Sequence, residues 1–387
     1  MRFAKRIDKI PPYLFAELDR KREQVAARGV EVISLAVGDP DLPTPQPIIE
    51  SLCRAANDPA NHGYPSYEGM YEFREAAANW YGRRFGVALD PAAEVVSLIG
   101  SKEGIAHVFL AFVQLGDISI VPSPGYPVYH MGTLLADGTP YFMPLTRKKA
   151  FLPDLESIPG EALEKAKIMF INYPNNPTAA VASLEFFQKA VNLAKKHNIA
   201  LCHDLAYSEL AYDGYVPPSI LQVEGAKDVA VEFHSLSKTF NMTGWRAGFA
   251  VGNAQIIRGL STIKTNVDSG LFQAIQRAGV TALNEVGEEH LAAIRETFRE
   301  RRDAMVEGLN SIGWKLRKPK ATFYVWAPVP GGMTSVEFTT RLLEDAGVLV
   351  TPGVGFGEHG EGYFRVSYTT PVEKIEKAIE RLGKLKL

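Results

Sequence analysis

Through the middle of the chain, short and almost unbroken apolar runs alternate with longer amphipathic ones. The short runs are "VVSLIG" (95–100), "ISIV" (118–121), "KIMFINY" (167–173), "IALCHD" (199–204), "VAVEFHS" (229–235) and "AGFAVG" (247–252). Between them, "SLEFFQKAVNLAKKHN" (183–198) carries apolar residues at helical spacing behind a serine placed to cap it. Strands that are apolar on both faces must be covered on both faces. The alternation therefore predicts a mostly parallel sheet with helices on either side.

After residue 283 the pattern changes. A long amphipathic helix, "EEHLAAIRETFRERRDAMVEGLNSIG" (288–313), leads into "WKLRKP", "TFYVWAPV", a helix near 335–346, "VLVTPG", "YFRVSY" and a final helix. Strand segments mixed with helices predict a smaller α+β domain, onto which the N-terminal segment up to the "VGDPDLPTP" loop folds. The expected division is an N-terminal arm at 1–45, a large domain at 46–283 and a small domain at 284–387. No fixed-period repeat or low-complexity segment interrupts this order.

Composition narrows the picture by exclusion. At 387 residues the chain suits two domains, and its 46% hydrophobic content is that of a soluble globular protein. A formal net charge of -2 argues against nucleic acid or an anionic membrane as partner. Cys53 and Cys202 are the two cysteines, far apart and without a CxxC pair, so they read as small buried hydrophobes in a reducing compartment. The start, "MRFAKRIDKIPPYLF", has charges where a signal peptide needs apolar residues, and no apolar run reaches the ~18 residues of a membrane span. A cytoplasmic protein is the expectation. The eight histidines show no HExxH-like spacing, so no metal is expected.

Ligands of open α/β sheets bind beyond the carboxyl ends of the strands. Those ends carry "GSKEG", "PNNPT", "DLAYSEL" and "SLSKTF". Ser101 and Lys102, opening a helix, offer backbone N–H groups and a hydroxyl that suit a phosphate. Ser235, Ser237 and Arg246 add hydroxyl and guanidinium donors to the same anion. Asp204 ends a buried strand and needs a cationic partner, which a protonated ring nitrogen would be. Asn176 and Tyr207 suit a ring oxygen, and Tyr126 in "SPGYPVY" suits the ring face. Lys238, set among hydroxyls, completes the set. A phosphate, a flat ring with a pyridinium nitrogen and phenolic oxygen, and a lysine in reach describe pyridoxal 5′-phosphate held as a Schiff base. Desolvation and Arg246 would depress the Lys238 pKa, so that the freed amine can take the proton from a substrate α-carbon.

"PNNPT", "D-x-A-Y", "S-x-S-K" and "GWRAG", in this order, resemble the class I/II aminotransferases, which are fold type I pyridoxal-phosphate enzymes. The resemblance covers nearly the whole chain, because "VGDPDLPTP" and "FRVSY" fit as well. It implies a large domain with a mostly parallel seven-stranded sheet and a smaller α+β domain. It makes Lys238 the catalytic Schiff-base lysine and Asp204 the pyridinium partner; Asn176 and Tyr207 hold the ring oxygen. Ser101, Lys102, Ser235 and Arg246 take the phosphate, joined by Tyr64 from a neighbouring subunit of a homodimer. Arg365 clamps the substrate α-carboxylate with help from the Gly38 backbone, and Tyr126 and Asn176 border the substrate too. "GSKEG", "SPGYPVY" and "KTNVDSGLFQAIQ" look like the subgroup that moves an amino group between LL-2,6-diaminopimelate and 2-oxoglutarate in lysine biosynthesis, by a ping-pong mechanism. In that subgroup Tyr13 and the Lys102 side chain match positions facing the far end of the substrate.

Three positions depart from the wider pattern. Ala179 stands where glycine usually follows "NPT", Leu205 where a glutamate often follows the aspartate, and His203 is a histidine inside a strand. The glycine-rich "GVGFGEHGEG" (353–362) precedes a strand instead of opening a helix, so it reads as a mobile loop and not as a dinucleotide site. Cofactor residues alone leave an alanine- or aspartate-type aminotransferase and a cysteine-sulfur lyase on the same cofactor open, whereas the full catalytic set weakens the reading as a non-enzymatic sensor.

Overall fold

A computed structural model of the chain describes residues 1–11 and 14–385, the side chains of 14–16 excepted. Its strands are β1 (Ile33–Ser34), β2 (Val95–Leu98), β3 (Ile118–Ser123), β4 (Thr139–Pro144), β5 (Ala166–Asn172), β6 (Ala200–Asp204), β7 (Ala230–Ser235), β8 (Gly248–Gly252), β9 (Tyr324–Pro328), β10 (Val348–Leu349), β11 (Thr351–Pro352) and β12 (Tyr363–Ser367). Seven of them form one sheet in the order β2-β8-β7-β6-β5-β3-β4. Neighbours run parallel except β8, which is antiparallel to both β7 and β2.

Side chains alternate across each strand, and the two faces carry separate cores. Met169, Ile171 and Leu201 point into one core with Phe187 and Ala190; Ile168, Phe170, Cys202, Val231 and Phe233 point into the other with Val108 and Phe109. The helix Leu184–His197 shows how the local sequence sets an element. Ser183 Oγ accepts from Phe186 N (3.4 Å), and Asn198, at φ 52°, ends the helix in the left-handed conformation.

A second, three-stranded antiparallel sheet, β11-β12-β9, shares a core with the helices Glu288–Ser311, Ser335–Ala346 and Val372–Gly383. The N-terminal β1 pairs in parallel with β10 (Ile33 with Val348), and Ile33 and Leu35 enter that core. The segment after β1 then crosses to the carboxyl edge of the large sheet.

Three local expectations need correction. "WKLRKP" forms no strand; Asn310 Oδ1 accepts from Leu316 N (2.7 Å) and Asn310 Nδ2 donates to Leu316 O (3.0 Å), so side-chain bonds replace a ladder. β4 was not expected, since its run holds two prolines; it lies at the sheet edge, where a missing N–H costs least. The 353–362 segment is pinned, not loose. Gly125 N donates to Phe356 O (2.8 Å), and Gly353 and Gly360 are buried in backbone contact that a side chain at either would block.

Candidate active site

The carboxyl ends of β2, β5, β6 and β7 share one edge of the large sheet. A cavity of about 370 Å³ opens there, bounded on the far side by β9, β12 and the segment after β1. Its walls include Gly38, Ser101, Lys102, Tyr126, Asn176, Asp204, Tyr207, Ser235, Ser237, Lys238, Arg246 and Arg365. Residues spread over more than three hundred positions thus converge.

Lys238 sits on a single helical turn, Leu236–Thr239, directly after β7. Ser235 caps that turn, its Oγ accepting from Ser237 N (3.2 Å). The ammonium donates to Gly38 O (3.0 Å) and lies 5.4 Å from the Phe323 ring centre. Burial, together with the cations Arg246 and Arg365, lowers the amine to about 8 from its ordinary 10.5, against the pull of Asp39 and Asp204. A depressed pKa leaves more neutral amine at any given pH below it. The rate at which Lys238 is trapped by an aldehyde and borohydride therefore rises with a midpoint near 8, followed by peptide mapping across a pH series. A midpoint still above 10 would contradict that environment.

Asp204 ends β6 and is 6% exposed. Strand parity puts it on the face of Cys202 and opposite His203. Its Oδ2 accepts from the Tyr129 hydroxyl (2.8 Å), whereas its Oδ1 has no hydrogen-bond partner among the described residues. Burial raises the carboxyl to about 6, although Tyr129 and the charge of His203 oppose the rise. A buried carboxylate oxygen left unpaired on a cavity wall calls for a cationic N–H from a ligand.

The anion end lies across the cavity. The twelve-residue helix Ser101–Phe112 starts there with no side-chain cap, so its first N–H groups face the site. Gly100, at φ 73°, leaves room for the Arg246 guanidinium; a Cβ there would collide with it. Arg246 Nη1 donates to Thr243 O (2.9 Å), and the buried Ser237 Oγ has no partner among the described residues.

At the opposite end, Arg365 of β12 is 2% exposed. It donates to Asn176 Oδ1 (2.7 Å) and to Ala36 O (2.6 Å), and stands 4.2 Å from the Tyr324 ring centre. The Tyr207 and Tyr324 hydroxyls are 3.2 Å apart. Gly38 is tight for a reason: a Cβ would strike the Tyr324 ring and hydroxyl.

Two expected residues stand apart. Tyr64 is 86% exposed and lies outside this cavity within the protomer. Tyr13 lies outside the described residues. Ala179 keeps the turn that glycine would make, at φ 57°, with its N–H on Asn175 O (2.9 Å).

Sequence reasoning missed Tyr129, Tyr324 and the partner of His203. Tyr129 follows Tyr126 by three residues in the quoted "SPGYPVY", and that spacing was the available signal. His203 Nδ1 lies 2.6 Å from Glu232 Oε1, both fully buried, and Nε2 lies 3.0 Å from Tyr173 O. A glutamate inside the apolar run "VAVEFHS" had to be paired with something. Tyr324 gave no such sign. Glu103, His107 and Asp268 bring ligand atoms within 4.8 Å of one another, but the Lys264 ammonium lies 2.8 Å from Glu103 and 3.0 Å from Asp268, so the protein supplies the cation itself.

Residues 30–382 match the family of class I and II aminotransferases. The chain is 58% identical over 383 residues to LL-diaminopimelate aminotransferase 2 of Trichormus variabilis, covering 99% of this chain and 98% of that one. It is 57% identical over 385 residues to the LL-diaminopimelate aminotransferase of Moorella thermoacetica, covering 100% and 98%. Among solved structures, substrate-bound BacF from Bacillus subtilis superposes with a TM-score of 0.96 at 41% identity, over 100% of this chain and 98% of that one.

Proposed function

The chain belongs to the class I and II aminotransferases, and on that premise we propose that it moves an amino group between LL-2,6-diaminopimelate and 2-oxoglutarate, a step of lysine biosynthesis. The family works with pyridoxal 5′-phosphate, which when bound supplies an aldehyde carbon and a ring that takes up negative charge. One observation carries the reading: Asp204 Oδ1, buried and without a hydrogen-bond partner among the described residues, opens onto the same cavity as Lys238 and the clamped Arg365. The full-length likeness to relatives bearing that name supports the substrate.

The residues fit the cofactor. Asp204, whose other oxygen Tyr129 holds, would receive the ring N–H and keep that nitrogen protonated. The uncapped helix start at Ser101, with Ser235, Ser237 and Arg246, forms the phosphate seat. Tyr126 would cover the ring face, and Asn176 and Tyr207, on the same cavity wall, would orient the ring oxygen. Arg365 holds the substrate α-carboxylate, which sets the α-carbon beside Lys238. The Lys238 Nζ, held near Gly38 O, is the base that takes the proton from that carbon. The small sheet and the N-terminal segment, taken as residues 1–45 and 284–387, wall the cavity against the domain at 46–283.

The active species is a homodimer, in which Tyr64 of each chain reaches the other's phosphate seat. Support comes from the exposed aromatics Tyr64, Tyr67, Tyr71 and Phe272 on one stretch of surface, joined where Gly270 packs on Pro65 and Ser66. No helix among the described residues is long and apolar enough to cross a membrane.

The purified protein, loaded with cofactor and supplied with LL-2,6-diaminopimelate and 2-oxoglutarate, yields glutamate, with alanine, aspartate and cystathionine as the comparison donors. Faster turnover of alanine or aspartate would move the assignment to that type, and pyruvate release from cystathionine would make it a lyase. Light scattering on the same sample gives the mass of a dimer. A fully active monomer would take the partner's Tyr64 out of the site.

A further inference from the structure

A second cavity, of about 450 Å³, adjoins the first and shares two wall residues with it, Lys102 and Tyr126. The two side chains form a common partition, with the Lys102 Nζ 5.9 Å from the Tyr126 ring centre. Beyond it the walls are mainly apolar: Ala106, Val128, Met131, Leu135 and Val354. Among the described residues, the charged side chains that line this chamber are one cation and one anion, Lys102 and Glu17. His130 also faces it, but burial lowers its pKa, so it is neutral near pH 7.

That combination complements one kind of ligand end. A zwitterionic amino-acid head on a hydrocarbon chain needs a cation for its carboxylate, an anion for its ammonium and apolar walls for the methylenes. Glutamate, the other partner in the proposed exchange, has a far carboxylate but no far ammonium. Only diaminopimelate gives Glu17 something to bind. The helix Leu14–Ala26 carries Glu17 in its first turn, and Lys21 of the same helix donates to Thr340 (3.1 Å) on the helix Ser335–Ala346. Glu17 is thereby presented from the small-domain side, facing a partition that belongs to the large sheet.

Resting on the substrate reading above, we propose that Glu17 is the specificity-determining residue for the distal ammonium of a diamino dicarboxylate, beside the Lys102 side chain that the resemblance already assigns to the far end of the substrate. The two chambers then divide the substrate: one head at Arg365 and Lys238, the other at Glu17 and Lys102.

The test compares LL-2,6-diaminopimelate with 2-aminopimelate, which has the same carbon chain and both carboxylates but no distal ammonium. In the holoenzyme, Glu17→Gln lowers the ratio of kcat/KM for diaminopimelate to that for 2-aminopimelate by about 10- to 100-fold, the loss of one charge-assisted hydrogen bond. Calorimetric Kd values of the two compounds, taken in a Lys238→Ala background that does not turn over, move in the same direction. Glu17 is exposed, so the change leaves folding intact, and 2-aminopimelate is the reference within each sample. A ratio that Glu17→Gln leaves unmoved, in an enzyme that uses both compounds, overturns the assignment of Glu17 alone. A wild type that converts glutamate but not LL-diaminopimelate overturns the functional reading, and this inference falls with it.

Discussion

Lys238→Ala lowers turnover by about 10⁴-fold or more, because one side chain both anchors the cofactor and moves the α-proton. The structural cost is small. Among the described residues the side chain makes one hydrogen bond, to Gly38 O, and burial disfavours its charged form, so alanine removes an unfavourable ion along with that bond. The variant therefore folds and melts close to wild type. Its spectrum with cofactor lacks the visible band of the lysine-bound form, and added small amines restore part of the proton transfer. Rates measured by single turnover separate this step from binding. A variant that keeps even a tenth of wild-type turnover would remove Lys238 from the chemistry.

Asp204→Asn has the second-largest effect and splits function from stability. Removing one member of a buried charge pair costs about 3–5 kcal/mol, so kcat/KM falls about 10²- to 10⁴-fold as the ring nitrogen loses its carboxylate. Without cofactor the sign reverses. The folded-state carboxyl titrates at about 6 and its ordinary value is 3.8, so the native state holds its proton more tightly than the unfolded chain. Stability of the cofactor-free protein thus falls as pH rises from near 4 to near 6, by roughly 3 kcal/mol at 1.4 kcal/mol per pH unit. Asparagine keeps the Tyr129 bond and escapes this penalty. The cofactor-free variant is accordingly more stable than wild type at pH 7–8, and the gain vanishes toward pH 4. Urea titrations at both ends of that range read the difference. A variant less stable than wild type at neutral pH would show that the buried charge is already neutralised within the protein.

Much of the fold was legible because the large sheet is written in local pattern. Its strands are buried on both faces and read as apolar runs; the helices between them repeat at helical spacing and carry their own caps, as Ser183 and Asn198 do. The cofactor end of the site was legible for a related reason. Asp204 ends a strand, and Asn176, Tyr207 and Lys238 follow one within a few residues, so a parallel sheet that aligns strand ends aligns them too. β8 breaks the parallel order: the connection 236–247 from β7 holds the single turn Leu236–Thr239 in place of a crossover helix, and the chain returns antiparallel.

What the sequence by itself determined is the order of elements, the strand-end residues and the chemistry they imply. These depend on spacing within one element or across one turn, where backbone geometry converts position into direction. Tertiary structure alone decided which groups meet across the chain: Tyr129 on Asp204, Tyr324 against Gly38 and Arg365, Glu232 beneath His203, and Glu17 facing Lys102 across a shared chamber. Those meetings follow from strand order, from the parity that sends Asp204 and His203 to opposite faces, and from the demand that buried polar atoms find partners. None of these leaves a period in the sequence, because each is settled by what else fills the same volume.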